Sequence, residues 1–93
     1  MDINTFTQKS QQAIMAARDL AARRQNQYVE PEHLLEALLG QTDGLIYPLF
    51  GTLGIHATDV RAPLDRALAE LPQIYGDIEV SFSPATVAVL EAA

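Results

Sequence analysis

Apolar and small side chains fall at positions 6, 10, 13, 14, 17, 20, 21 and 24, with Gln8, Gln11, Gln12, Arg18, Asp19 and Arg23 largely opposite. This is the spacing of one helical face and predicts a first helix from about Gln8 to Gln25. Thr7 is its natural N-cap, because a hydroxyl there can accept a backbone N–H two or three residues on. Phe6, one position earlier, is placed to pack back on the first turns. Arg23 and Arg24 suit the negative end of the helix dipole, and Asn26 ends the helix. Pro31 and Gly40 delimit a second helix, with Pro31 at its first position and Gly40 in the left-handed conformation after its last turn. Its first turn is acidic, whereas Glu30 is a poor N-cap. A third short helix begins near Leu45, so that Pro48 stands in its first turn, and runs to Leu53 with Gly54 closing it. A fourth covers about Ala57 to Leu71, burying Val60, Leu64, Ala67, Leu68 and Leu71, with Pro63 bending it or delaying its regular part. The leucines at 34, 35, 38 and 39 and at 45, 49 and 53 are assigned to the core.

From Asp77 to Phe82 the pattern alternates, with Ile78, Val80 and Phe82 against Asp77, Glu79 and Ser81. That predicts an extended segment with one face down. Ser83 followed by Pro84 is an N-cap with proline at the first helical position, and opens a fifth helix that reaches Ala93. The fold class is therefore all-α.

The opening unit is written twice. Phe6-Thr7-Gln8-Lys9-Ser10-Gln11-Gln12-Ala13-Ile14-Met15-Ala16-Ala17 returns 76 positions later as Phe82-Ser83-Pro84-Ala85-Thr86-Val87-Ala88-Val89-Leu90-Glu91-Ala92-Ala93. The aromatic, the capping hydroxyl, the small polar residue, the branched aliphatic and the alanine pair keep their order without a gap. Two domain segments follow: a first repeat over 1–76, and over 77–93 an extended link with the first helix of a second repeat that is cut short. The copies differ where Gln11-Gln12 becomes Val87-Ala88. An exposed polar face turns apolar there, which implies a second covered surface, either a contact between repeats or a peptide-binding groove.

A chain of 93 residues with 48% hydrophobic and 19% charged residues makes one modest folded core, as one domain or a fragment of one. The net charge of −6 opposes binding to a phosphate backbone, so nucleic acid is not an expected partner. The absence of cysteine excludes a disulfide framework and a thiolate site. The N-terminus lacks the basic and apolar regions of a signal peptide, and no apolar run is long enough to span a membrane. A soluble, cytoplasmic protein is expected.

Chemistry-bearing constellations are sparse. His33 has Glu30, Glu32 and Glu36 near it, and the spacing of His33 to Glu36 can support a metal, but no second histidine joins them. The expectation is a partly buried ring bonded to backbone near the helix start, with no metal site. A small metal-dependent enzyme built on His33 is the competing reading, and the absence of stoichiometric zinc binding would remove it. The five glycines form neither phosphate-binding motif, so ATP is not expected to bind this segment. Ser10, Ser81 and Ser83 lack a nucleophile-elbow context. No catalytic residues are assigned.

Several runs with fixed intervals carry a resemblance over essentially the whole chain. These are Phe6-Thr7-x-Lys9-Ser10-Gln11-x-Ala13, Pro31-Glu32-His33-Leu34-Leu35-x-Ala37-Leu38-Leu39, Asp43-Gly44-Leu45-x-x-Pro48-Leu49, Leu53-Gly54-Ile55, Val60-Arg61 and Leu71-Pro72-Gln73-Ile74-x-Gly76. Together they resemble the N-terminal Clp repeat domain that precedes the AAA+ modules of ring-forming Clp ATPases. The Pro-Glu-His-Leu-Leu run and the Leu-Pro-Gln-Ile-x-Gly turn look most like the ClpB-like disaggregases. The resemblance implies two pseudo-repeats of four helices each, in a domain that engages unfolded or aggregated polypeptide for threading by a homohexameric ring, with a chaperone or adaptor as a further partner. It implies no cofactor in this segment, with ATP and Mg held by the parent's AAA+ modules. Thr7 matches a hydroxyl position implicated in substrate engagement. The family's groove between repeats uses the fifth helix, which gives Val87, Leu90 and Ala92 a substrate-binding role. His56 in place of an Asp-like cap, and Pro63, depart from the pattern and leave the start of the fourth helix open. The alternative within the family is adaptor docking in a protease-coupled ClpC or ClpA type. A chain cut after one repeat is further expected to dimerise or exchange its fifth helix.

Overall fold

A computed structural model describes the backbone of residues 3–92 and the side chains of residues 7–92. The expected packing of Phe6 and the end of the last helix at Ala93 lie outside the described residues. Five helices and one pair of two-residue strands follow in the order α1 (Ile3–Arg23), β1 (Tyr28–Val29), α2 (Pro31–Leu39), α3 (Ile46–Leu53), α4 (Ala57–Ala69), β2 (Ser81–Phe82) and α5 (Pro84–Ala92). The fold is all-α, as the periodicity predicts.

Helix α1 starts five residues earlier than predicted, so Thr7 lies within the helix and is not its cap. No glycine or proline stands between Ile3 and Thr7, and nothing in the chain halts the helix there. The other end closes on a Schellman motif: Asn26 N–H donates to the Ala21 carbonyl (2.9 Å) and Gln25 N–H to that of Ala22 (3.1 Å). Gln25 takes the left-handed conformation at φ 59°, a position usually held by glycine and costly for other residues by about 1 kcal/mol. The helix thus ends at Arg23, two residues before the expected end.

A stripe of Ala13, Ala17 and Ala21, each at most 1% exposed, lets α1 lie close against α2. Ala17 and Ala21 join Val29 in one buried cluster, with Leu34, Ala37 and Val80 packed around it. A second cluster of Leu39, Leu64 and Leu68 gathers Leu35, Ile46, Tyr47, Phe50, Val60 and Leu71. Tyr47 packs against it with its hydroxyl donating to the Leu39 carbonyl. Lys9 pairs with Asp43 at 2.7 Å, and Gln41 Nε2 donates to the Lys9 carbonyl at 2.8 Å, fastening the α2–α3 turn to α1. Arg61 on α4 reaches Glu36 on α2 and Asp65 one turn along its own helix.

Three expectations are corrected. Gly40 caps α2 in the right-handed region (φ −75°), because the α2–α3 connection continues as a turn closed by Gly44 N–H on the Gln41 carbonyl. Gly54 does take the left-handed conformation after α3 (φ 72°). Leu45, Leu49 and Leu53 are not core: α3 turns Ile46, Tyr47 and Phe50 inward, and the leucine stripe is 37%, 51% and 61% exposed. The apolar arc of α3 is wider than its neighbours can cover, and α3 packs chiefly on α2 and the α4 leucines. Helix α4 ends at Ala69 and runs through Pro63, whose missing N–H falls on the exposed side.

The link from α4 to α5 is stitched to the α1–α2 turn. Asn26 Nδ2 donates to the Pro72 carbonyl (3.0 Å), Gln73 Nε2 to that of Arg24 (3.1 Å), Ile74 N–H to that of Gln25 (2.8 Å) and Gln27 Nε2 to that of Glu79 (2.8 Å). The predicted extended segment becomes regular strand only at Ser81–Phe82, paired in parallel with Tyr28–Val29. Ile78 and Val80 are half-buried, but Phe82, expected on the same inward face, is 36% exposed.

Candidate functional site

The start of α5 is held by a compact polar latch. Ser83 N–H donates to the Val29 carbonyl (3.2 Å), and Ser83 Oγ accepts the Thr86 N–H (3.1 Å), which is the predicted N-cap. Thr86 Oγ1 accepts from Ser83 Oγ (3.0 Å) and donates to the same Val29 carbonyl (2.6 Å). Both side chains are buried and fully bonded, so the latch orients the helix without leaving a polar atom unmatched. Thr86→Val keeps the shape and removes the hydroxyl; it is expected to cost about 1–2 kcal/mol in a urea titration. An unchanged midpoint would show that the latch does not hold α5.

Thr86 is the sole buried residue of α5. Val87 and Val89 are 40% and 45% exposed, Leu90 is half-buried, and Ala88 and Ala92 are open. The repeat gives this a physical meaning. Val89 corresponds to Ala13, which α1 buries against α2, and Thr86 corresponds to Ser10, which α1 leaves half-exposed. The two copies therefore bury different faces. The apolar side that seats α1 on its neighbour has no such neighbour in α5 among the described residues.

Of the residues singled out from sequence, Val87, Leu90 and Ala92 share this helix, and Thr7 is placed elsewhere. Thr7 is exposed near the start of α1, two residues before Lys9, whose contacts lie at the C-terminal end of α2. The start of α5 is latched to Val29, at the N-terminal end of α2. A helix the length of α2 separates those ends by about 13 Å. Val89, not singled out from sequence, is also exposed; it stands where the first copy has the buried Ala13.

His33 belongs to the framework. It is completely buried; Nδ1 accepts the Glu30 N–H (2.8 Å) and Nε2 pairs with Asn26 Oδ1 (2.9 Å). A ring whose Nδ1 accepts must carry its proton on Nε2, so Nε2 donates to Asn26. Burial is the main cause that lowers its pKa; Arg24 acts in the same direction, and Glu32 and Glu30 oppose it. Through Asn26 the ring joins the starts of α2 and of the 72–80 link to the end of α1. With both nitrogens engaged it has no lone pair to offer a metal. No group of three His, Asp or Glu side chains could hold a metal ion among the described residues.

These helices, their intervals and the doubled opening unit define a Clp repeat module, and comparison with known sequences agrees. The Clp repeat (R) N-terminal domain matches residues 5–93, and the chain belongs to that family. Its similarity runs to the ClpB-like chaperones in particular. It is 37% identical over its whole length to the chaperone protein ClpB of Porphyromonas gingivalis, and 40% identical over 84 residues, 87% of the chain, to ClpB of Vibrio vulnificus. ClpB of Mycobacterium tuberculosis is 42% identical over 76 residues, 82% of the chain. The chain spans 11%, 10% and 9% of these relatives, about a tenth of each.

Proposed function

We propose that this domain is the accessory N-terminal domain of an ATP-dependent, cytoplasmic ClpB-type disaggregase, and that it captures unfolded or aggregated polypeptide for threading by the AAA+ ring. It has no catalytic role of its own; ATP and Mg are used by the AAA+ modules of a homohexameric parent. Residues 1–76 form its first repeat, and 77–93 the link and first helix of the second. The exposed aliphatic residues of α5 are the observation that carries this proposal: Val87 and Val89, on the two flanks of the buried Thr86, stand 40% and 45% exposed, and Leu90 is half-buried. Exposed aliphatic surface of this kind suits weak, reversible contact with apolar segments that a folded protein would hide. Weakness is an advantage, because the ring has to draw the captured chain away.

Binding of a permanently unfolded, carboxymethylated model protein to the 93-residue chain tests the proposal by fluorescence anisotropy. Saturable binding that the native form of the same model protein cannot compete away is expected. Thr7→Ala is expected to weaken capture; because Thr7 is not a cap, such a loss would not be a by-product of an unravelled helix end. Equal competition by the folded protein would overturn the proposal.

A further inference from the structure

The register of the small parallel sheet leaves one main-chain edge open. Ser81 N–H donates to the Gln27 carbonyl (3.3 Å) and Ser83 N–H to that of Val29 (3.2 Å), with Tyr28 opposite Ser81 and Val29 opposite Phe82. Along a parallel ladder, successive residues direct their main-chain groups to opposite sides. The N–H and C=O of Tyr28 therefore point away from β2, and neither bonds to another group among the described residues. A strand edge of this kind is a template for a further strand.

Beside Tyr28 runs a groove of about 330 Å³, walled on its far side by Leu71, Pro72 and Ile74. Its floor is fixed, since Asn26 and Gln25 tie Pro72 and Ile74 to the α1–α2 turn. Tyr28 and Ile74 are 49% and 38% exposed, so the walls are apolar and accessible. Glu30 is the one charged residue that lines it. Open main-chain groups, apolar walls and a single carboxylate together select an extended chain with an apolar side chain and a cation.

We propose that an extended segment of unfolded polypeptide docks in this groove as a third strand along β1. Its main chain pairs with the N–H and C=O of Tyr28, an apolar side chain rests on Leu71 and Ile74, and a lysine or arginine faces Glu30. The site rests on the proposed capture of unfolded chain and deepens it by stating how the captured main chain is held. Recognition through main-chain bonds tolerates many sequences, which suits a partner with no fixed sequence.

The test is a titration of the isotope-labelled 93-residue protein with a seven-residue peptide of alternating valine and threonine, with lysine at both ends. The same peptide N-methylated at alternate residues keeps every side chain but loses its main-chain donors on one edge. The Tyr28 amide is expected to shift and its hydrogen exchange to slow about tenfold at saturation. N-methylation is expected to weaken binding about tenfold, as loss of main-chain bonds should. Ile74→Ser weakens binding as well, and Glu30→Gln lowers its salt dependence. Equal binding of the N-methylated peptide would overturn the proposal. Shifts confined to α5 amides such as Val87 and Leu90 would overturn it while leaving capture on α5 intact. Tyr28 shifts that grow with protein concentration alone would assign the edge to a second copy and overturn it too. Failure of the unfolded model protein to bind would remove the capture function beneath it.

Discussion

His33→Ala is expected to destabilise the protein by about 3 kcal/mol, a loss that urea unfolding reads as a lower midpoint at unchanged slope. The ring is completely buried and holds two partners, the Glu30 N–H and Asn26 Oδ1. Removing it strands the buried Asn26 Oδ1, leaves the partly buried Glu30 N–H without its acceptor and opens a cavity between α1 and α2, and the effects cost on the order of 1–3 kcal/mol each. Asn26 is itself 3% exposed and carries the bond onward to Pro72. Asn26→Ala should therefore be nearly as harmful, and the double variant clearly less harmful than the sum, because both substitutions break the same network. Additive losses within about 0.5 kcal/mol would show that the two residues act separately.

The same ring makes stability depend on pH. Burial holds the pKa of His33 below its ordinary 6.5, so in the window beneath that value the unfolded chain binds a proton that the folded chain refuses. Stability rises with pH wherever the unfolded state holds more protons. The contribution of His33 is therefore fully present above about pH 6.5, is lost as the pH falls through that window, and levels off once the folded ring also protonates. Protonation would also place a hydrogen on Nδ1 against the Glu30 N–H, which adds to the resistance that burial imposes. Unfolding midpoints measured from pH 8 to pH 5 should fall more steeply for the natural protein than for His33→Gln. Parallel curves would sink this account.

The helices were legible in the sequence because each carries several turns of pattern, and Pro31, Gly54 and the Ser83-Pro84 pair mark their ends by local chemistry that needs no partner. The start of α1 was not legible, because Thr7 is a good cap only where the preceding residues leave the helix, and nothing in them requires it. The strand pair was hidden for another reason. Two residues hold no periodicity, and Tyr28–Val29 becomes strand only because Ser81–Phe82, far along the chain, lies beside it. The exposure of Leu45, Leu49 and Leu53 shows a third limit: apolar pattern says which faces seek cover and cannot say which of them finds it. The internal repeat marked Val87-Ala88 as altered, and both are exposed in α5. It missed Thr86, whose buried hydroxyl sets which side of α5 stays open.

The exposed valines of α5 yield the second large expected effect. Val87→Glu with Val89→Glu should weaken capture of an unfolded protein at least about tenfold, or roughly 1.4 kcal/mol of binding. Two carboxylates would have to be dehydrated against apolar partner surface, which charge at the centre of a contact does not tolerate. Stability should move by less than about 0.5 kcal/mol, since both valines are 40% or more exposed and glutamate is the better helix former. Two controls separate this from general repulsion by a chain already at −6. Val87→Ser with Val89→Ser removes apolar contact without adding charge and should weaken capture in the same direction. Met15→Glu adds a charge on α1, at a residue 68% exposed, and should leave capture unchanged. If the serine pair binds as the natural protein does, α5 is not the capture surface.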